Sequence, residues 1–278
     1  MFLVKSYLVN LHTKKIMVKK HKPVDHSKMK LGSHPPKKDD RNFQLNSYLR
    51  HEDLPPVPHE WNWGEKIPSH RWGAMCNMKL ENCTCAAAGH FIMTWTVNTG
   101  KLFKPSDKAI LKTYSAITGY NPKTGENDTG AYAIDVLKYW RKNEIEGHKI
   151  FAFAQVDPKK HHEVKQSVFL FGGCFVGLAL PKSSVKQPIW DVPEEGLKGD
   201  GAFNSWGGHA VLITGYDEEG LRAITWGKEK RMTWDFWNAY GAESYAVFSE
   251  DFIKNNENPV GIHVQTLKKD IANLKKDD

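Results

Sequence analysis

The hydrophobic period of this chain changes once, near residue 143, and that change restricts the folds open to it. Before it, apolar residues recur at helical spacing. "CTCAAAGHFIMTWTV" (83–97) is alanine-rich at its start and carries Phe91, Ile92, Trp95 and Val97, the pattern of a buried helix. "PSDKAILKTYSAITG" reads as a helix with Ser106 or Asp107 as cap and Gly119 at its end, and "AYAIDVLKYWRKN" as a third. After the change come the strands "KIFAFAQV", "CFVGLALP" and "HAVLITGY…LRAITWG", the last two runs joined by the turn "YDEEG". One further helix, "KKHHEVKQSVFLFGG", and a short one capped by Thr233 are interleaved with them. Helices first and mostly antiparallel strands afterwards define an α+β chain: a helical half, a sheet half, and a cleft between them.

Charge divides the chain differently. The whole sequence carries +7, yet residues 1–38 alone hold ten Lys and one Asp, leaving the rest slightly acidic. The predicted layout is a basic, flexible extension (1–38), a Pro-rich extended segment (39–60), a globular domain (61–253), and a C-terminal strand with a charged tail (254–278). The extension is expected to attract anionic surfaces non-specifically. No nucleic-acid module accompanies it, and no apolar run is long enough to span a membrane. The N-terminus lacks the continuous apolar region and small-residue cleavage site of a secretory signal, so a cytoplasmic or virion-associated location is expected.

The four cysteines are Cys76, Cys83, Cys85 and Cys174. In "ENCTCAAAG", Asn82 is a good N-cap residue, which puts Cys83 at the positive end of a helix dipole, where a thiolate is favoured. A thiol nucleophile also needs a base. Among 13 histidines, His209 stands out, because it follows Gly207 and Gly208 and begins the apolar strand "AVLITGY". A zinc reading of C-x6-C-x-C-x4-H fits poorly. On one helix Cys83 and Cys85 diverge by about 200°, and His90 lies roughly 10 Å along the axis from Cys83. No metal or other cofactor is therefore expected. A disulfide from Cys76 has no signal in its favour.

The motifs "NMKLENCTCAAAGHFI", "YSAITGYNPKTGENDTG", "GGHAVLITGYD" and "ITWGKEKRMTWDFWNAYGAESYAVFS", in this order over about residues 31–253, resemble the papain-like cysteine peptidase superfamily, and within it a group of papain-like proteins of bacteria and phages. The resemblance implies a papain-like fold with Cys83 as nucleophile and His209 as base. Such enzymes carry an amide six residues before the nucleophile to donate to the oxyanion. That position is Asn77 for Cys83, and Lys79 for the alternative, Cys85. Thr129 and Gly130 fall where the superfamily pairs with substrate backbone, although Asp128 or Thr129 also reads as a cap for the helix that follows. Trp226 would shield the His from water. Where an Asn should orient the His stands Ile224, and strand alternation turns Thr225 to the other face. Thr225, Asp217, a backbone carbonyl or water then orients the ring, or the site is a dyad, or it is inactive. The implied activity is hydrolysis of a peptide or isopeptide amide in a peptide or protein substrate. The alternatives are an inactive structural or binding protein, possibly of phage, and a cell-wall peptide amidase or transamidase.

Overall fold

A computed structural model describes residues 25–39, 42–45, 54–263, 265 and 268–269. Among the described residues the regular structure is five α-helices and seven strands, with short 3-10 turns between them. The helices are α1 (Cys83–Thr99), α2 (Asp107–Thr118), α3 (Ala133–Lys142), α4 (His161–Phe171) and α5 (Trp234–Tyr240). The strands are β1 (Trp61–Asn62), β2 (Ile150–Val156), β3 (Cys174–Leu180), β4 (Gly207–Tyr216), β5 (Gly220–Thr225), β6 (Lys228–Thr233) and β7 (Gly241–Ser249). The sheet is antiparallel in the order β2-β7-β3-β4-β5-β6, and β1 pairs with the end of β4. This is the α+β architecture that the change of period implies.

Helix α1 is apolar because it is enclosed. Every residue from Cys83 to Trp95 is buried, so the helix has no polar face to pattern. The small residues after the cysteines let neighbours approach closely: a side chain at Gly89 would strike Met75 and Ile110. Trp95 anchors the far end. It stacks on Trp140 of α3 with ring centroids 5.5 Å apart, and its indole N–H donates to the Phe171 carbonyl at 2.8 Å. Truncating such a residue to alanine costs about 3–5 kcal/mol.

The helix ends follow their sequence signals in part. The Ser106 hydroxyl accepts from the Ala109 N–H, Gly119 closes α2 at φ 77°, and the Thr233 hydroxyl caps α5 through Phe236. Asn82 stands at the N-cap of α1, but its side chain makes no cap bond; its amide instead donates to the Met75 carbonyl. Asp128 and Thr129 do not cap α3, whose N-cap is Tyr132. Asp128 accepts from the Glu81 N–H and the Tyr114 hydroxyl, tying the loop after α2 to the residues before α1. Strand β6, "KEKRMT", carries too many charges to read as a strand, and pairing with β5 makes it one.

Two expectations about the ends of the chain change. Residues 26–34, expected to belong to a flexible extension, bond along the cleft, while residues 1–24 fall outside the described residues. Residues 254–263 make isolated bridges (Lys254 with Glu257, Glu257 with His263) rather than a strand. The charged tail from residue 270 also lies outside the described residues. Of the Pro-rich segment, Phe43 and Gln44 line up against Gln155 of the edge strand β2, and Pro58 accepts from the Tyr216 hydroxyl. The contact of Phe43 and Gln44 covers part of an otherwise open sheet edge.

Candidate active site

The start of α1 meets the start of β4. Cys83 opens the helix and is buried, and its Sγ accepts from the Ala210 N–H at 3.3 Å. The next residue back along β4 is His209, also buried. Its Nε2 and the Thr225 hydroxyl are 2.6 Å apart, and its Nδ1 has no hydrogen-bond partner. A hydroxyl accepting from Nε2–H fixes the tautomer that leaves the Nδ1 lone pair free. Trp226 stacks on the ring at 4.6 Å and 20°.

The role of Thr225 corrects the alternation argument. Leu212 of β4 pairs with Ile224 of β5, so Ile224 shares a face with Leu212 and Thr225 takes the opposite one. His209 lies three residues from Leu212, an odd offset, and therefore faces the same side as Thr225. Ile224 is a core residue. Asp217 is engaged elsewhere, by Arg222 and Arg231.

A strap from the N-terminal extension fills the cleft and touches each of the other candidate residues. The Trp226 indole donates to the Lys30 carbonyl at 2.9 Å. The Asn77 amide reaches the Lys30 and Leu31 carbonyls at 3.5 Å while donating to the Leu80 carbonyl at 3.0 Å. On one wall, the N–H groups of Gly32 and Ser33 both donate to the Gly208 carbonyl; on the other, Ala131 donates to the Gly32 carbonyl and accepts from the His34 N–H. The Thr129 carbonyl lies 2.6 Å from His34 Nε2, and a side chain at Gly130 would run into Gly32. Ser33 and Ala131 thus form a parallel bridge. At the strap's other end His26 stacks on Trp226 at 5.0 Å.

Burial determines the electrostatics. Burial pushes the Cys83 thiol up to about 12, against the help of the Ala210, Thr84 and Cys83 N–H groups. Burial, with a smaller contribution from His26, pushes His209 down to about 3. Covered, the two groups are a neutral thiol and a neutral imidazole, so the dipole argument for a ready-made thiolate does not hold in this state: desolvation outweighs the helix end. The remaining cysteines are also held as thiols by burial, Cys85 and Cys174 fully enclosed and Cys76 partly. His90 is bound to the Gly73 carbonyl and lies against Trp72, away from Cys83. Among the described residues no group of three or more His, Cys, Asp or Glu side chains converges as a metal site would require. No helix among them is long and apolar enough to cross a membrane.

No family model matches the sequence, and no curated protein matches it. Solved structures share its fold. Xylellain, a cysteine protease from Xylella fastidiosa, aligns over 83% of this chain and 99% of its own, at 16% identity and a TM-score of 0.59. A procathepsin B from Trypanosoma congolense aligns over 81% and 88%, at 12% identity and 0.57. A digestive procathepsin L of the Tenebrio molitor larval midgut aligns over 75% and 76%, at 10% identity and 0.51. The chain therefore has the papain-like fold.

Proposed function

We propose that this chain is a thiol hydrolase of peptide or isopeptide amides whose N-terminal strap covers the site until it is displaced. The observation that carries the reading is the strap itself. An extended peptide backbone runs past the helix start that carries Cys83 and the strand start that carries His209, with two of its carbonyls met by the Asn77 amide and the Trp226 indole and its N–H groups by the Gly208 carbonyl.

With the strap gone, water reaches Cys83 and His209 and the desolvation holding both neutral is relieved. His209 Nδ1 takes the thiol proton. Sγ attacks the amide carbonyl, a C–S bond forms, and the oxyanion is met by Asn77 and the Cys83 N–H. The imidazolium returns its proton to the leaving amine as the C–N bond breaks. Water, deprotonated by His209, then cleaves the thioester and regenerates the thiol. A cell-wall amidase would use the same steps on a different substrate.

The test compares iodoacetamide labelling and peptide hydrolysis in strap-displaced protein. Cys83 should label much faster than Cys85 or Cys174, and Cys83→Ala should abolish hydrolysis. Uniformly slow labelling with no hydrolysis would instead support an inactive binding module, the reading consistent with the covered, neutral pair.

A further inference from the structure

The strap backbone passes through a narrow slot at Gly32. A side chain at Gly32 would strike the Glu81 carbonyl, and one at Gly130 would strike the Gly32 carbonyl, so the backbone lies in close contact with both Glu81 and Gly130. Glu81 stands two residues before Cys83. Gly130 adjoins Ala131, whose N–H meets the Gly32 carbonyl and whose carbonyl meets the His34 N–H. The slot thus has the nucleophile's helix start on one side and the backbone-pairing edge 130–131 on another.

Asp128, a carboxyl that the chemistry above does not use, joins the two. Its Oδ1 accepts from the Glu81 N–H at 2.8 Å and from the Tyr114 hydroxyl at 2.9 Å. The Tyr114 oxygen in turn accepts from the Gly130 N–H at 3.0 Å. The connection therefore runs from Glu81 through Asp128 and Tyr114 to Gly130. Tyr114 is fully buried on α2. Burial holds its phenol above the ordinary value, so the hydroxyl keeps the proton it donates.

The arrangement dictates what can stand at residue 128. A phenol has one proton to give, and Gly130 already donates to its oxygen, so Tyr114 needs an acceptor there. Glu81 N–H needs an acceptor too, and one oxygen serves both. These bonds do not serve the helix that follows, which begins later with Tyr132 as its N-cap. All four cysteines are free, so no disulfide makes the join.

Resting on the hydrolase reading above, we propose that Asp128 is a positioning residue: with Tyr114 it holds the Gly130–Ala131 edge at a fixed distance from the Cys83 helix start. A backbone in the slot, whether strap or extended peptide substrate, is then held in register with Sγ. A displacement of about 1 Å between a paired substrate and its nucleophile is enough to cost up to about a hundredfold in rate. A substrate too short to reach Ala131 does not sense Asp128.

The first test uses the full chain with its strap in place, because the strap is itself a backbone paired with Ala131. Amide hydrogen exchange is read residue by residue. Asp128→Ala should speed exchange at Gly130 and His34 at least about tenfold relative to Gly32 and Ser33, which bond to the Gly208 carbonyl on the other wall. Asp128→Asn keeps an oxygen where Oδ1 stands and should stay within about threefold of wild type. Tyr114→Phe should free Gly130 and leave Glu81 protected. The second test adds Gly32→Ala and compares an extended peptide amide with an acylated single-residue ester. Asp128→Ala should lower kcat/KM at least about tenfold for the peptide and less than about twofold for the ester. Unchanged exchange at Gly130 and His34, a rise shared equally by Gly32 and Ser33, or equal losses on both substrates overturns the inference. If neither substrate is hydrolysed although iodoacetamide reaches Cys83, the hydrolase reading fails, and the exchange pattern still decides the role of Asp128.

Discussion

Replacing Gly32 with alanine should lift the strap off Cys83. Gly32 sits at φ 113°, a conformation L-residues rarely adopt. An added Cβ would lie 2.5 Å from the Glu81 carbonyl carbon and 2.6 Å from Glu81 Cβ. Carbon atoms prefer about 3.5–4.0 Å, so the strap must retreat by roughly 1 Å. Glu81 cannot yield easily, because its N–H is held by Asp128 at 2.8 Å and Cys83 follows two residues later. Backbone strain of about 1–3 kcal/mol and overpacking of about 1–3 kcal/mol together oppose closure. The backbone bonds of Gly32, Ser33 and His34 and the Trp226 bond to Lys30 hold the strap, each contributing about 0.5–1.5 kcal/mol net. The two totals are similar, so the closed state should lose most of its advantage. A shift of about 2 kcal/mol is roughly thirtyfold in open population. The assay is the pseudo-first-order rate of iodoacetamide labelling at Cys83, read by peptide mass spectrometry, with Cys174 as internal control. A rate within threefold of wild type, with the unfolding midpoint lowered, would refute the argument, since the strain would then have been absorbed by the domain and not by the strap.

Other outcomes follow from neighbouring contacts. Thr225→Val removes the partner of His209 Nε2 and should lower kcat by about 10–100-fold with little change in KM, because only proton transfer is affected; an unchanged kcat would show that Thr225 does not orient the ring. Trp226→Phe deletes the bond to the Lys30 carbonyl, about 1 kcal/mol, and should speed Cys83 labelling severalfold. The protein should lose stability as pH falls from about 6.5 toward 4. His209 and His90 are pushed down to about 3 and about 4 by burial, so below their ordinary value of 6.5 the unfolded chain binds protons that the folded one refuses. Each histidine contributes about 1.4 kcal/mol per pH unit over that window, and denaturant melts of His90→Phe should show a shallower decline.

Much of this protein can be read from its local sequence. The period change near residue 143 separates helices from strands because side-chain direction repeats every 3.6 residues in one and every two in the other. Cys83 and His209 can be proposed for local reasons, a helix start and a glycine-led strand, whereas Asn77, six residues before Cys83, comes from the resemblance to papain-like enzymes. What failed were judgements that depend on partners distant in sequence. Thr225 was turned away from His209 until the Leu212–Ile224 register was known, because a shift of one residue reverses every side chain on a strand. Strand β6 owes its existence to β5. The lysine-rich composition of residues 1–38 describes a solvated arm, yet backbone groups of Gly32, Ser33 and His34, which composition does not weigh, hold that stretch in the cleft. The thiol is the clearest division. Sequence alone locates it at a helix N-terminus, where the dipole favours a thiolate; burial in the folded chain decides that in this structure it is neutral, because removing a charge from water costs more than one helix end returns.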